Sequence, residues 1–219
     1  MVNERNLKDL LYQEFARVGK SLSSPKRLEI LDLLSQGPKS VEALSEATTM
    51  SVANVSQHLQ TLNNARMVKF WKKGNYVIYD IADDAISDFI NSLHNLSEKQ
   101  FVEVQQIKEG FLNANLGMDG VSLEELNNRM EKGEVLLLDV RPKEEYENAH
   151  IPGAVSIPIE ELKEKLSSLP TDRDVVAYCR GPYCLWSGEA VELLRSKGIY
   201  AYHLEKSVRD WNEFQGHIH

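Results

Sequence analysis

Apolar residues in the first half of the chain recur at helical spacing. Leu7, Leu10, Leu11, Phe15, Val18 and Leu22 fall on one face of a predicted helix. Ser24 and Pro25, a cap residue with proline at the first helical position, open a second helix, KRLEILDLLSQ, which stops at Gly37. Ser40 starts VEALSEAT and Ser51 starts VANVSQHLQTLNNA. After Met67, VKFWKK and YVIYDIA flank Gly74 and Asn75, which reads as a β-hairpin with a basic tip. From Asp83 onward Ile86, Phe89, Ile90, Leu93, Phe101, Val104 and Ile107 predict a long last helix with a break near Ser97.

The pattern changes after GFLNANLGMDG (110–120), which has glycine at both ends and no periodicity. This stretch places a linker at 111–120 between domains 1–110 and 121–219. Beyond it Ser122 and Glu125 form a capping box. VLLLDV (135–140) and DVVAY (174–178) are short continuous apolar runs of the kind buried in a parallel sheet, with a further strand at 200–204. Helical stretches near 159–168 and 185–197 separate the strands. The fold class is therefore two domains, mainly helical with a hairpin and then a small α/β domain with a parallel sheet.

The net charge of −8 argues against indiscriminate coating of nucleic acid. It is unevenly spread: residues 1–120 hold 13 Lys/Arg against 15 Asp/Glu, and residues 121–219 hold 12 against 18. Local basic patches in the first half remain open. No apolar run has membrane-spanning length and the first residues lack a signal-peptide core, so a cytoplasmic protein without membrane contact is expected. Both cysteines of the chain lie in YCRGPYC (178–184). Two thiols do not make a disulfide scaffold, and in a reducing compartment a close pair is catalytic, redox-active or metal-binding.

Three short helices followed by a hairpin describe a winged helix-turn-helix, and residues 7–100 resemble the ArsR family of bacterial repressors. The carrying stretches are SPKRLEILDLL (24–34), SVANVSQHLQTLNNARMV (51–68) and FWKKGNYVIY (70–79). Val55, Leu59 and Leu62 would pin the reading helix to the core, leaving Asn54, Ser56, Gln57, His58 and Gln60 for base edges in a major groove. Lys69, Lys72 and Lys73 suit phosphate contacts. The resemblance implies a homodimer on double-stranded operator DNA, paired through the first and last helices. The third helix has no thiol and His94 stands alone, so no metal site and no cofactor are expected.

The second half resembles a single-domain rhodanese over about residues 120–214, on LLLDVRPKEEYENAHIPGAVSIP (136–158), AYCRGPYC (177–184) and Trp211. A strand-loop-helix junction aims backbone N–H groups at one spot and lowers a cysteine pKa. By resemblance Cys179 carries persulfide sulfur taken from a donor such as thiosulfate or a persulfide. Arg180 with the amides of Gly181, Tyr183 and Cys184 would cradle the anion, while Pro182 has no N–H to give. Asp139 and Arg141 would organise the loop, and His150 belongs to the fold. Related phosphatases use a loop one residue longer that ends in arginine; that position is Leu185 here, which removes the phosphatase reading. HLEKSVRDW departs from the Gly-Gly turn of many rhodaneses. Cys184 either packs under the loop or faces Cys179. A permanent bridge is not expected, and closing one is expected to refold the cradle. These features predict a transcriptional regulator whose sulfur site serves as sensor of reactive sulfur, enzyme, or both; the alternatives are a sulfurtransferase whose helical domain mainly dimerises it and a pure repressor with a catalytically idle thiol domain.

Overall fold

The computed structural model describes residues 4–115, 120–170 and 172–218. The chain divides into two compact units, up to Ser97 and from Glu98 onward. The first holds α1 (Glu4–Leu22), α2 (Pro25–Ser35), β1 (Lys39–Ser40), α3 (Val41–Thr48), α4 (Val52–Asn64), β2 (Val68–Lys73), β3 (Tyr76–Ile81) and most of α5 (Asp84–Gln100). Pro25 opens α2 as its spacing suggested, with the Ser24 carbonyl rather than its hydroxyl receiving the first helical amides, Arg27 and Leu28 at 3.1 Å. Ser40 and Ser51 cap α3 and α4 through their side chains, accepting from the amides of Ala43 and Asn54. The three antiparallel strands lie in the order β1-β3-β2. Gly74 turns the hairpin at φ +61°, in the left-handed region that glycine enters without a Cβ clash. Ile30, Leu31, Leu34, Leu44, Val55, Leu59, Leu62 and Ile90 form one buried core from four helices and hold α4 in place.

The second unit contains α6 (Val102–Asn115), α7 (Leu123–Glu131), β4 (Val135–Asp139), α8 (Lys143–Asn148), β5 (Val155–Ser156), α9 (Ile159–Lys165), a 3₁₀ turn at Leu166–Ser168, β6 (Asp174–Tyr178), α10 (Trp186–Arg195), β7 (Ala201–Leu204) and α11 (Val208–Ile218). Its four parallel strands run β5-β4-β6-β7. Alternation on β4 and β6 separates two apolar layers. Leu138, Val175, Ala177 and Cys179 pack with α9 and α10, while Leu137, Val176 and Tyr178 pack with Leu126, Val208 and Trp211. The sheet is apolar on both faces, which is why its strands read as continuous runs.

Two expectations about the junction change. The helix break falls at Phe101 rather than near Ser97, and α6 continues through Asn115. Positions 111–115 of the expected linker are therefore helical, and positions 116–119 lie outside the described residues. The division falls before Glu98 rather than at 110 because α6 packs with the second unit: it contacts α10, and Lys108 pairs with Glu205 at 3.4 Å. Among the described residues no helix is long and apolar enough to cross a membrane.

Candidate functional site

In the first unit α4 buries Val55, Leu59 and Leu62 completely. That anchoring turns Asn54, Ser56, Gln57 and Gln60 to solvent, with His58 half-buried. The Ser56 hydroxyl donates to the Val52 carbonyl at 2.8 Å, so only its lone pairs remain for a partner. On the hairpin Lys72 and Lys73 are exposed, whereas Lys69 lies opposite Asp80 and pairs with it at 3.2 Å. The three expected phosphate-contacting lysines are thus not equivalent, because a cross-strand carboxylate already neutralises one of them. Leu7, Leu10, Leu11 and Phe15 of α1 are more than half exposed, as is Leu96 of α5.

In the second unit β6 delivers Cys179, fully buried, to the carboxyl end of the sheet. The chain then turns through Arg180, Gly181, Pro182 and Tyr183 to Cys184 and enters α10 at Trp186. Gly181 has φ +123°, a conformation that favours glycine, and its carbonyl accepts the Cys184 amide at 3.1 Å. This turn returns the second thiol to the first, and Cys179 and Cys184 are joined in a disulfide with Cα atoms 6.2 Å apart. Of the two placements open to Cys184, the one facing Cys179 is the one adopted. In the bridged state β6 and α10 are both fully formed on either side of the loop. In this bridged state the Cys184 amide is spent on the turn rather than offered to an anion.

Arg180 has a partner that sequence reasoning missed. Its Nε and Nη2 donate to the Glu145 carboxylate of α8 at 2.7–3.1 Å, and its guanidinium lies 4.3 Å from the centre of the Trp186 ring. Glu145 is almost completely buried, so in the bridged loop Arg180 is held by a desolvated carboxylate and an aromatic face. No local signal marks Glu145 among the glutamates of KEEYEN; only its position on α8 selects it.

Asp139 and Arg141 pair with each other at the carboxyl end of β4, beside β6. Arg141 donates to both Asp139 oxygens at 2.7–3.2 Å and to the Ala149 carbonyl at 2.8 Å, with both residues essentially without solvent contact. Burial opposes the guanidinium charge, but the Asp139 contacts outweigh it and hold its pKa above the ordinary arginine value. Tyr178 stays a neutral phenol, its pKa raised by burial and then by Asp139, and it accepts the Ile151 amide at 3.1 Å. His150 stacks on Tyr146 with ring centres 3.9 Å apart, which fits a structural role. Within HLEKSVRDW, Ser207 caps α11 by exchanging hydrogen bonds with Asp210, and its Cβ would lie 3.7 Å from a Cβ added at Gly181. Tyr183 donates to Glu98 at 2.7 Å. Among the described residues no group of three or more His, Cys, Asp or Glu could hold a metal ion.

Comparison with known proteins assigns both units. The Rhodanese-like domain family matches residues 122–214, and the family described as bacterial regulatory protein, arsR family, matches residues 24–69. Over 211 residues the chain is 38% identical to the HTH-type transcriptional regulator Rv0324 of Mycobacterium tuberculosis, an alignment covering 96% of this chain and 92% of that protein. The chain belongs to the ArsR family of transcriptional regulators and carries a rhodanese-like domain. Solved structures resemble this ArsR-family regulator in parts. The homodimeric winged helix-turn-helix domain of Mb0332 from Mycobacterium bovis is 33% identical, covering 46% of this chain and 94% of that one, with a TM-score of 0.43. A rhodanese-related protein from Thermoplasma volcanium is 28% identical, covering 43% and 90%, with a TM-score of 0.39.

Proposed function

We propose that this regulator binds double-stranded operator DNA as a homodimer and takes sulfane sulfur on Cys179 as its input. The observation that carries the reading is one chain holding both an outward polar face on α4 and a cysteine at the end of a buried parallel strand, leading through a loop into α10. The α4 face offers short donors and acceptors to base edges, and Lys72 and Lys73 offer charge to phosphates. The exposed apolar residues of α1, with Leu96 of α5, support self-association, since large exposed apolar patches mark contact sites.

The bridged loop is closed to sulfur, so a dithiol reductant opens it first. The freed Cys179 thiolate then attacks the outer sulfur of R–S–SH, giving Cys179–S–SH and releasing R–S⁻. Thiosulfate gives the same persulfide, as its anion, and sulfite. The test is an operator titration of reduced full-length protein with and without inorganic polysulfide, on wild type and Cys179→Ser. Wild type should lose operator affinity on sulfur loading and Cys179→Ser should not respond. If both respond equally, or neither does, the sensing reading fails.

A further inference from the structure

Every thiol in the chain is consumed in one bond, and the loop is shaped to make it. The Cα separation of 6.2 Å lies inside the span of about 4.4–6.8 Å that a disulfide accepts. Gly181 at φ +123° and the Cys184-to-Gly181 hydrogen bond fold the intervening residues back, and Pro182 restricts them further. The two cysteines differ in access: Cys179 is fully buried, while Cys184 is half-buried at the mouth of α10. In the bridged state a thiol from solution therefore meets Cys184 first, whereas Cys184 itself reaches Cys179 Sγ from within the loop. Holding the two sulfurs in one short turn makes their reaction effectively unimolecular.

We propose that Cys184 is a resolving thiol that discharges the sulfur carried by Cys179 as hydrosulfide, leaving the bridged loop as the product state. This rests on Cys179 being the sulfur acceptor, as proposed above. The Cys184 thiolate attacks Sγ of Cys179 in Cys179–S–SH. The bond between Sγ and the carried sulfur breaks, and its electron pair leaves with that sulfur as HS⁻ while the Cys179–Cys184 bond forms. The carried sulfur is reduced to sulfide by the two electrons the cysteine sulfurs give up on joining, so no outside oxidant enters. A dithiol reductant then reopens the loop for the next transfer. The regulator thereby becomes a sulfide-releasing catalyst as well as a sulfur acceptor.

The test uses the full chain, reduced with a dithiol and desalted without air, then given thiosulfate or inorganic polysulfide in separate arms. Sulfite reports loading in the thiosulfate arm. After donor removal, sulfide is trapped with a bimane reagent and the 179–184 peptide is weighed. Wild type should release one sulfide per sulfur loaded and finish bridged, with both thiols lost and no sulfur added. Cys184→Ser, with Cys184→Ala as a second variant against misfolding, should trap the persulfide on Cys179 and release sulfide only when an external thiol is added. If wild type retains the persulfide beside a free Cys184, or holds the extra sulfur between the two cysteines, resolution is wrong while sulfur acceptance stands. If neither wild type nor variants gain sulfur or form sulfite with either donor, the acceptor reading itself falls, and this inference with it.

Discussion

Asp139 and Arg141 show why a charged pair can lie in an otherwise apolar layer. Each satisfies the other through several hydrogen bonds, and neither reaches solvent. Removing one leaves the other charge buried and unpaired, which costs about 3–5 kcal/mol. Asp139→Ala should destabilise the second unit by that amount in urea unfolding, and pairing it with Arg141→Met should recover part of the loss. His203 gives a pH dependence. It is buried beside β6, and burial holds its imidazole below the ordinary 6.5, against the opposing pull of Glu205 and with Arg195 reinforcing the shift. A depressed pKa means that the unfolded chain binds the proton first. The stability due to neutral His203 is therefore complete above the ordinary value and is lost as pH falls through 6.5 toward the lower folded value. Replacing His203 with Gln should flatten the stability profile of the second unit as pH falls below the ordinary 6.5.

At the scale of elements, α4 and the hairpin should contribute differently to operator binding. Gln57→Ala and His58→Ala change groups at the α4 face and should relax discrimination at single base pairs by about 1–3 kcal/mol each. Lys72→Ala and Lys73→Ala should weaken binding to all sequences and each lower the salt slope by about 1. Lys69→Ala should change the slope less, because the Asp80 carboxylate already balances that charge. Fluorescence titrations on matched and mismatched duplexes at several salt concentrations separate these outcomes; equal slopes for all three lysines would contradict the Lys69–Asp80 pairing. Among the elements absent from the sequence reading are β5 and α8, of two and six residues. Neither is long enough to show a period, yet α8 supplies the carboxylate that holds Arg180.

For the whole molecule, the bridge lies in one unit only, and that makes reduction a selective perturbation. Closing a loop this short stabilises a fold by about 2 kcal/mol on the chain-entropy account. A dithiol should therefore lower the stability of the second unit by about 2 kcal/mol and leave the first unchanged. Hydrogen exchange followed separately in the two segments would read this, and equal loss of protection in both would contradict it. Coupling of sulfur to DNA is a further requirement on the whole chain. A tenfold change in operator affinity needs about 1.4 kcal/mol of difference between sulfur states. That difference arises only if the two states of the loop favour different states of the DNA-reading unit.

The sequence alone determined what depends on near neighbours along the chain. Helical spacing located α2 to α4, serine caps located their starts, Gly74 located the hairpin turn, and continuous apolar runs located β4 and β6. It also placed both thiols on a strand-loop-helix junction, because a strand, a turn and a cap are each written in a few adjacent residues. Only the tertiary structure decided which groups meet across distance. Arg180 meets Glu145 from 35 positions away, and Tyr183 meets Glu98 from 85. The break at Phe101 and the docking of α6 against α10 were likewise not written in the local pattern of α5 and α6. The bridge belongs to both classes: the spacing of Cys179 and Cys184 allows it, but the turn at Gly181 closes it. Periodicity reports which face of an element is buried, whereas the identity of the partner depends on how separate elements pack, and no single stretch of sequence contains that.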